Sequence, residues 1–588
     1  MRPGSGKANS DSGKFIEFSR TSADPAGPLA RIGRGEIGGK AHGLARVRDA
    51  LFRGLDHDRF PDIHIDIPPL AVICTGVFAE FMAVNHLDQI ATAEMSDERI
   101  ARSFQKADLP FEVLGDLWAL IDQTHSPLAI RSSSLLEDTR HEPFAGVYVT
   151  KMIPNESFDP QIRFHQLTEA IKHVFASTYF SSARDYRTAT GHRDDEEQMA
   201  VIIQEVVGKR HHHRFYPDLS GVGRSINHYP MDPAKPEDGV VNLALGLGKL
   251  IVDGGRCWAY SPAYPNVQPP YGSVEQMLKE TQTEFWAVNM GEVQEYDPIH
   301  ETEYLLFENL TTAERDGSLR YLASTYSPIS GRLSIGTGFD GPRVLTFAPL
   351  LTLDQIPIND LISEIMDHCV GEYGGAVEIE FAMTFDPHRF AFLQVRPMNT
   401  PGVETKIEDS ELRGENVLVA CEHSLGNGVD ESLVDIVYTK PENFDLKHSR
   451  KIMAEMEEIN RQLLQAGRHY LLIVLGRLGT TDPWLGIPIG WAKIGMAKAV
   501  VESTGDKARV ALSQGSHFFH NITSLGVKYF TLSLDSEYEI DWEWLGRQKA
   551  AAETEFLRHI RLDAPLTIKV DGRTSRGVII KPGAVSHD

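Results

Sequence analysis

Between Leu128 and Gly146 the chain reads LAIRSSSLLEDTRHEPFAG. An apolar run delivers Arg131 into three serines, and two acids, Glu137 and Asp138, follow. An arginine fixed at a strand end can grip phosphate oxygens bidentately. The serines, Ser132 first, add hydroxyl and backbone donors for the same anion. A second reactive set lies far downstream, in GAVEIEFAMTFDPHRFAFLQVRP from Gly375 to Pro397. Alternation in Val377-Glu378-Ile379-Glu380 puts both carboxylates on one face of a strand. A turn around Asp386-Pro387-His388 then predicts a hairpin, with Phe390 to Val395 as its second strand. That hairpin sets Glu378 and Glu380 near Gln394 and Arg396. Paired acids suit Mg²⁺, which favours carboxylate and phosphate oxygens.

Other segments must position these groups. Ile37 to Val47, IGGKAHGLARV, offers paired glycines that let the backbone approach a ligand closely. Its Lys40 is a flexible point charge suited to nucleotide phosphates. The spacing is not that of a Walker A loop. Ala200 to Val207, AVIIQEVV, reads as a buried strand that lines an adenine pocket, with Gln204 and the backbone as hydrogen-bonding groups. Ser220-Gly221-Val222 and NLALGLGKLIVDG, from Asn242, supply Gly-rich turns.

In this order the segments resemble those of the pyruvate phosphate dikinase and phosphoenolpyruvate synthase family. The family's patterns are GGK-x-x-x-L, VRSS…ED…FAG, SGV, GLGE-x-x-V-x-G and D/E-I-E-x…LQ-x-RP. The resemblance spans residues 15 to 400, about two-thirds of the chain, and implies an α+β ATP-grasp fold whose two lobes clamp ATP. It implies that Lys40, Arg131 and Arg396 neutralise the triphosphate, that Glu378 and Glu380 hold Mg²⁺ and that Gln394 orients the site. Two departures stand out: Glu378 lies where Asp is common, and Lys249 replaces the acid after GLG.

Ser513 to Phe530, SQGSHFFHNITSLGVKYF, is similar to the family's phosphohistidine loop, T-S-H-A-A-x-x-A-R-x-L-G-I-P. The match puts His517 at the phosphorylated histidine. Neutral imidazole is a nucleophile near pH 7, and phosphohistidine passes its phosphoryl group onward. Phe518 and Phe519 replace small alanines there, Thr523 replaces Arg, and His520 has no counterpart. The family's phosphoenolpyruvate barrel needs roughly 250 further residues, so this chain is expected to lack it.

The 588 residues suggest roughly three to four domains. Lys and Arg total 58 against 82 Asp and Glu, a net charge of −24 that argues against nucleic-acid or anionic-membrane partners. Four scattered cysteines without a CxxC pair read as core residues of a reducing compartment. The sequence has no membrane-length apolar run, and its Gly/Ser-rich start lacks a signal-peptide pattern. A cytoplasmic location follows as the expectation, with a homodimer left open.

The expected organisation is a tail over 1–14, a nucleotide-binding unit over 15–400, a linker over 401–414 and an α/β domain over 415–588. Helical spacing marks Leu44 to Phe52, Gln161 to Tyr179 and Lys440 to Gln465, while Asn416 to Ala420 and Tyr470 to Leu475 read as strands. The polar run Arg187 to Gln198 reads as an exposed connection. His211-His212-His213 cannot all face one ion and reads as a surface loop. GRLGTTDPWLG makes Arg477, Thr480, Thr481, Asp482 and Trp484 ligand-loop candidates.

The leading expectation is an ATP-dependent phosphotransferase passing phosphoryl to His517 and then to an unidentified small-molecule or protein acceptor. The rivals are an ATP-binding regulatory or scaffold protein without turnover, and a direct small-molecule kinase giving ADP.

Overall fold

The computed structural model describes residues 15–20, 29–91, 95–138, 144, 146–193, 197–227, 230, 232–269, 271, 273–293, 296–398, 405–479, 486–503, 525–532, 536–572 and 574–583. It is a mixed α/β structure built on several sheets. In the first, the strands run in the order Ile16–Glu17, Leu29–Ile32, Leu70–Ile73, Met199–Glu205, Leu128–Ser134, Thr150–Ile153. The first three are parallel and the rest antiparallel. The second sheet orders Trp258–Tyr260, Val240–Ala244, Leu219–Arg224, Val377–Phe385, His388–Pro397 and His64–Asp66, parallel only at the last pair.

Period-two alternation decides which face each residue takes. Leu128 and Ile130 point into a core with Phe78, Phe81, Phe104, Leu117 and Ile171 from the covering helices. Ala129 and Arg131 face the other way, into a cavity. In the second sheet Val377, Ile379 and Phe392 join a different core, with Leu44, Leu51 and Ile362. The helix Gly39–Gly54 supplies Leu44 and Leu51 from one face, and Ile358–Tyr373 supplies Ile362. Each such buried aliphatic side chain contributes about 1.5–3 kcal/mol. The hairpin read from alternation and its turn spans Val377–Phe385 and His388–Pro397, with a register shift between Glu380 and Phe381.

Beyond residue 414 a seven-stranded sheet carries four parallel strands: Asp435–Thr439, Tyr470–Leu475, Ala497–Ser503 and Lys528–Leu532. One face, including Ile436, Leu471 and Val501, packs on Leu418, Ile568, Val570 and Ile579 of a four-stranded sheet. The other, including Val437, Leu472 and Val500, packs on Ile452, Met456 and Ile459 of the helix Ser449–Gln465. The order is therefore sheet, sheet, helix. That helix side merges with the core of the first sheet.

Two stretches of polar composition are packed in part. Ile407 and Leu412, in the stretch read as a linker, are buried against Ala420 and Val578. Arg187, read as part of an exposed connection, lies inside the helix Ser181–Thr190 and is fully buried, its Nη1 donating to the Thr178 carbonyl at 2.8 Å. Polar composition marks a solvated face only when no partner is folded over it. Lys209–His211 and Arg214–Tyr216 form a hairpin, with His212 in the left-handed region at its turn and the His211 ring 4.9 Å from Tyr216.

Candidate functional site

A cavity of about 260 Å³ opens between the first and second sheets, at the lower end of small-molecule site sizes. One part is apolar, lined by Ala129, Met152, Val206, Leu247 and Leu305, with Gln204 and residues 205–207 of the following chain at its side. The other part is charged, lined by Lys40, Arg131, Glu380, Gln394 and Arg396. Groups from three distant stretches of sequence therefore meet in one space.

The charged part is a continuous network. Arg131 donates to Gln394 Oε1 at 2.5 Å, to Glu380 Oε2 at 3.3 Å and to Gln204 Oε1 at 3.4 Å. Arg396 Nη2 donates to Glu380 Oε1 at 3.1 Å, and its Nε to Glu378 Oε1 at 2.6 Å. Burial opposes the charge of Arg396, but Glu378, Glu380 and Asp138 outweigh it and hold the guanidinium above its usual range. Asp138 Oδ2 accepts from Gln394 Nε2 at 2.8 Å. Burial pushes the Asp138 carboxyl up to about 6, against the pull of Arg396 and Lys40.

Lys40 reaches the cavity from the first turn of the helix Gly39–Gly54. Its ammonium donates to the Ser132 carbonyl at 3.2 Å and hydroxyl at 3.1 Å, and pairs closely with Glu137. Ser132 corrects one expectation. It is fully buried and does not line the cavity; its hydroxyl accepts from Lys40 and donates to Glu137 at 2.9 Å. It braces the Lys40 ammonium. The paired glycines correct another. A Cβ on Gly38 would lie 1.5 Å from the Ser133 carbonyl oxygen, and one on Gly39 would lie 1.8 Å from that of Glu137. They bring the helix start against the serine strand and the turn that follows it.

Glu378 also departs from its expected place. It shares a face with Glu380, as alternation predicts, but it is fully buried and outside the cavity lining. Both its oxygens are taken, by Arg396 Nε and by Arg224 Nε, each at 2.6 Å. Two guanidiniums held at 2.6 Å oppose a metal ion beside this buried carboxylate, whereas the guanidinium contacts of Glu380 are longer, 3.1 and 3.3 Å, and lie at the cavity. Among the described residues no group of three or more His, Cys, Asp or Glu gathers as a metal site.

Several residues of this region carried no assignment in the sequence reading. Arg224 was legible in principle, because Ser220, Val222 and Arg224 fall on one face by period two. Lys249, noted only as a departure, lines the cavity and pairs with Asp253 at 3.1 Å and Glu301 at 3.3 Å. Burial disfavours its charge, yet those two acids raise its pKa overall. Glu301 sits in a stretch without a pattern. His517 and His520, with Thr480, Thr481, Asp482 and Trp484, lie outside the described residues. Arg477 is described; its Nη2 donates to the Gly254 carbonyl at 2.9 Å.

An apolar slot that ends in three cations and a carboxylate suits a nucleotide, with room for the base at one end and charge for the phosphates at the other. Residues 34–415 match the family described as "Pyruvate phosphate dikinase, AMP/ATP-binding domain", well over half of the chain, and the chain belongs to that family. It is an ATP-binding protein of phosphotransferase type. No curated protein matches the chain. No described helix is long and apolar enough to cross a membrane.

Proposed function

We propose that the cavity binds Mg-ATP and that the protein transfers a phosphoryl group from it. The observation that carries this reading is the convergence of Lys40, Arg131 and Arg396 on Glu380 and Gln394 at one end of an apolar slot. In this reading the two facing sheets are the lobes of an ATP-grasp unit. The base occupies the slot and meets Gln204 and the backbone of 205–207. The triphosphate extends toward the three cations, where it competes with Glu137 for Lys40.

The donor set suits a divalent cation of the Mg²⁺ kind. That ion keeps few protein ligands and completes its shell with phosphate oxygens and water, and Glu380 with the Gln394 amide oxygen would hold it. Bound there, such an ion would neutralise charge on the transferring phosphoryl group. The chain's own residues do the rest. Arg131 and Arg396 stabilise the charge that spreads over the equatorial oxygens, and Gln394 is fixed by Arg131 on one side and Asp138 on the other. Phosphoryl transfer depends mostly on such positioning and electrostatics.

The acceptor in this proposal is His517, in the domain beyond residue 414. A ring nitrogen lone pair forms the P–N bond as the P–O bond to the nucleotide breaks, and that electron pair stays on the leaving oxygen. The group then passes to a small-molecule or protein acceptor. Incubation with β- and γ-labelled ATP tests this. The expected result is one acid-labile, base-stable phosphoryl group per chain, lost in His517→Ala and kept in His520→Ala. ATP consumption that never labels histidine would contradict the carrier step and favour direct transfer giving ADP. Binding without consumption would favour a regulatory protein.

A further inference from the structure

Arg224, Glu378 and Arg396 stand directly opposite one another on three neighbouring strands of the second sheet. One step along the same face lies a second row, Val222, Glu380 and Gln394. The rows differ in charge. In the first, each Glu378 oxygen accepts from its own guanidinium, at 2.6 Å on both sides. In the second, the strand neighbours of Glu380 are uncharged, so its partners come from elsewhere: Arg396 of the first row and Arg131 of the facing sheet. Glu380 borders the cavity, whereas Arg224 and Glu378 do not.

We propose that Arg224 is a positioning residue of the nucleotide site, which holds Glu378 against Arg396 and reserves the divalent cation for Glu380. The inference rests on the nucleotide reading above. A buried carboxylate needs its charge balanced, and here two arginines balance it and donate to each oxygen. A cation approaching Glu378 would meet two positive charges at 2.6 Å in a fully buried place, whereas Glu380 borders the cavity and holds its two guanidiniums at 3.1 and 3.3 Å. Arg224 is itself anchored, its Nη1 donating to Asn242 Oδ1 at 3.2 Å, and it is only 6% exposed.

The consequence reaches the cavity through Arg396. Its Nε and Nη2 both lie 2.6 Å from Glu378 Oε1, and this grip leaves Nη2 within 3.1 Å of Glu380 Oε1 at the charged end of the slot. Without Arg224, Glu378 keeps a single guanidinium, and the balance that aims Arg396 is lost. Arg224 touches no substrate position, so its effect on the reaction runs through Arg396.

The test removes both buried charges together, so that neither is left alone. The variant Arg224→Met/Glu378→Gln is compared with wild type, Arg224→Lys and Glu380→Gln. Manganese binding is read by electron paramagnetic resonance with a non-hydrolysable ATP analogue, and ATP consumption is measured in parallel. The double variant is expected to bind Mn²⁺ within about threefold of wild type, whereas Glu380→Gln loses the ion. Its ATP consumption should fall by about tenfold or more at saturating ATP, with KM changed by less than about threefold. Arg224→Lys should restore part of the rate, since an ammonium can take the Glu378 oxygen but not Asn242 as well.

Manganese affinity reduced about tenfold in the double variant would make Glu378 a ligand and overturn the inference. Consumption within about threefold of wild type would overturn it too, because the row would then only balance charge. A wild type that binds no nucleotide overturns both this inference and the reading beneath it. A wild type that binds nucleotide while the double variant fails on either count overturns this one alone.

Discussion

In the proposed function Glu380 is the carboxylate on which the chemistry turns, because it borders the cavity while Glu378 is buried between Arg224 and Arg396. Glu380→Gln is expected to abolish Mg²⁺-dependent ATP consumption, a loss of about a hundredfold or more, while the fold and some nucleotide binding persist. Steady-state assays over a range of Mg²⁺ concentrations check this, and full activity would return both acids to a structural role. At Gly39 the expected effect is on stability. A methyl group there would meet the Glu137 carbonyl at 1.8 Å. Gly39→Ala should therefore cost about 1–3 kcal/mol in denaturant unfolding, even though alanine is the better helix former. The glycine pair was visible in the sequence, but its reason was not. The surface it approaches is the end of the serine strand and the turn after it, whose position depends on packing that no local pattern reports.

Among elements, the hairpin Val377–Phe385 and His388–Pro397 was legible because alternation and a turn signal fix both strands and the face of each side chain. Of the strand Leu128–Ser134 the part up to Arg131 was legible as an apolar run, and of the helix Gly39–Gly54 the part from Leu44 to Phe52 by its helical spacing. What stayed hidden was the third strand of the same face. Arg224 joins Glu378 only through the register of Leu219–Arg224 against the hairpin, and register between distant strands leaves no mark in a single sequence. The helix Pro160–Ser177 carries a different consequence. His173 on it is 2% exposed, and burial, with help from Lys151 and His300, lowers its pKa from 6.5 to about 3. A neutral buried histidine contributes stability that is complete above the unfolded value near 6.5. That contribution is lost as pH falls toward 3, by up to about 1.4 kcal/mol per pH unit. His173→Leu should flatten the decline of unfolding free energy between pH 6.5 and pH 5, measured by denaturant titration. An unchanged slope would mean that other groups set the acid limit.

At the scale of the whole molecule, the domain beyond residue 414 shares a core with the first sheet and reaches the nucleotide unit through Arg477. The carbonyl that Arg477 contacts belongs to Gly254, which adjoins Asp253 and Val252 of the cavity wall. Arg477→Ala removes a charge-assisted hydrogen bond of about 1.5–3 kcal/mol. Hydrogen exchange should rise across residues 248–255 in that variant while the sheets stay protected. Protection unchanged from wild type would show that the contact does not brace the wall. The family was legible from the order of the motifs, whereas the packing of one domain on the other was not, since it joins surfaces from opposite ends of the chain.

The central claim, that the cavity is a Mg-ATP site, is tested most directly by calorimetric titration of ATP with Mg²⁺ into wild type and Arg131→Ala. The account predicts a single site in the wild type. It also predicts an affinity lower by about 1.5–3 kcal/mol in the variant, which loses the guanidinium bonded to Glu380 and Gln394. Equal affinity in both proteins, with the variant folded, would contradict it.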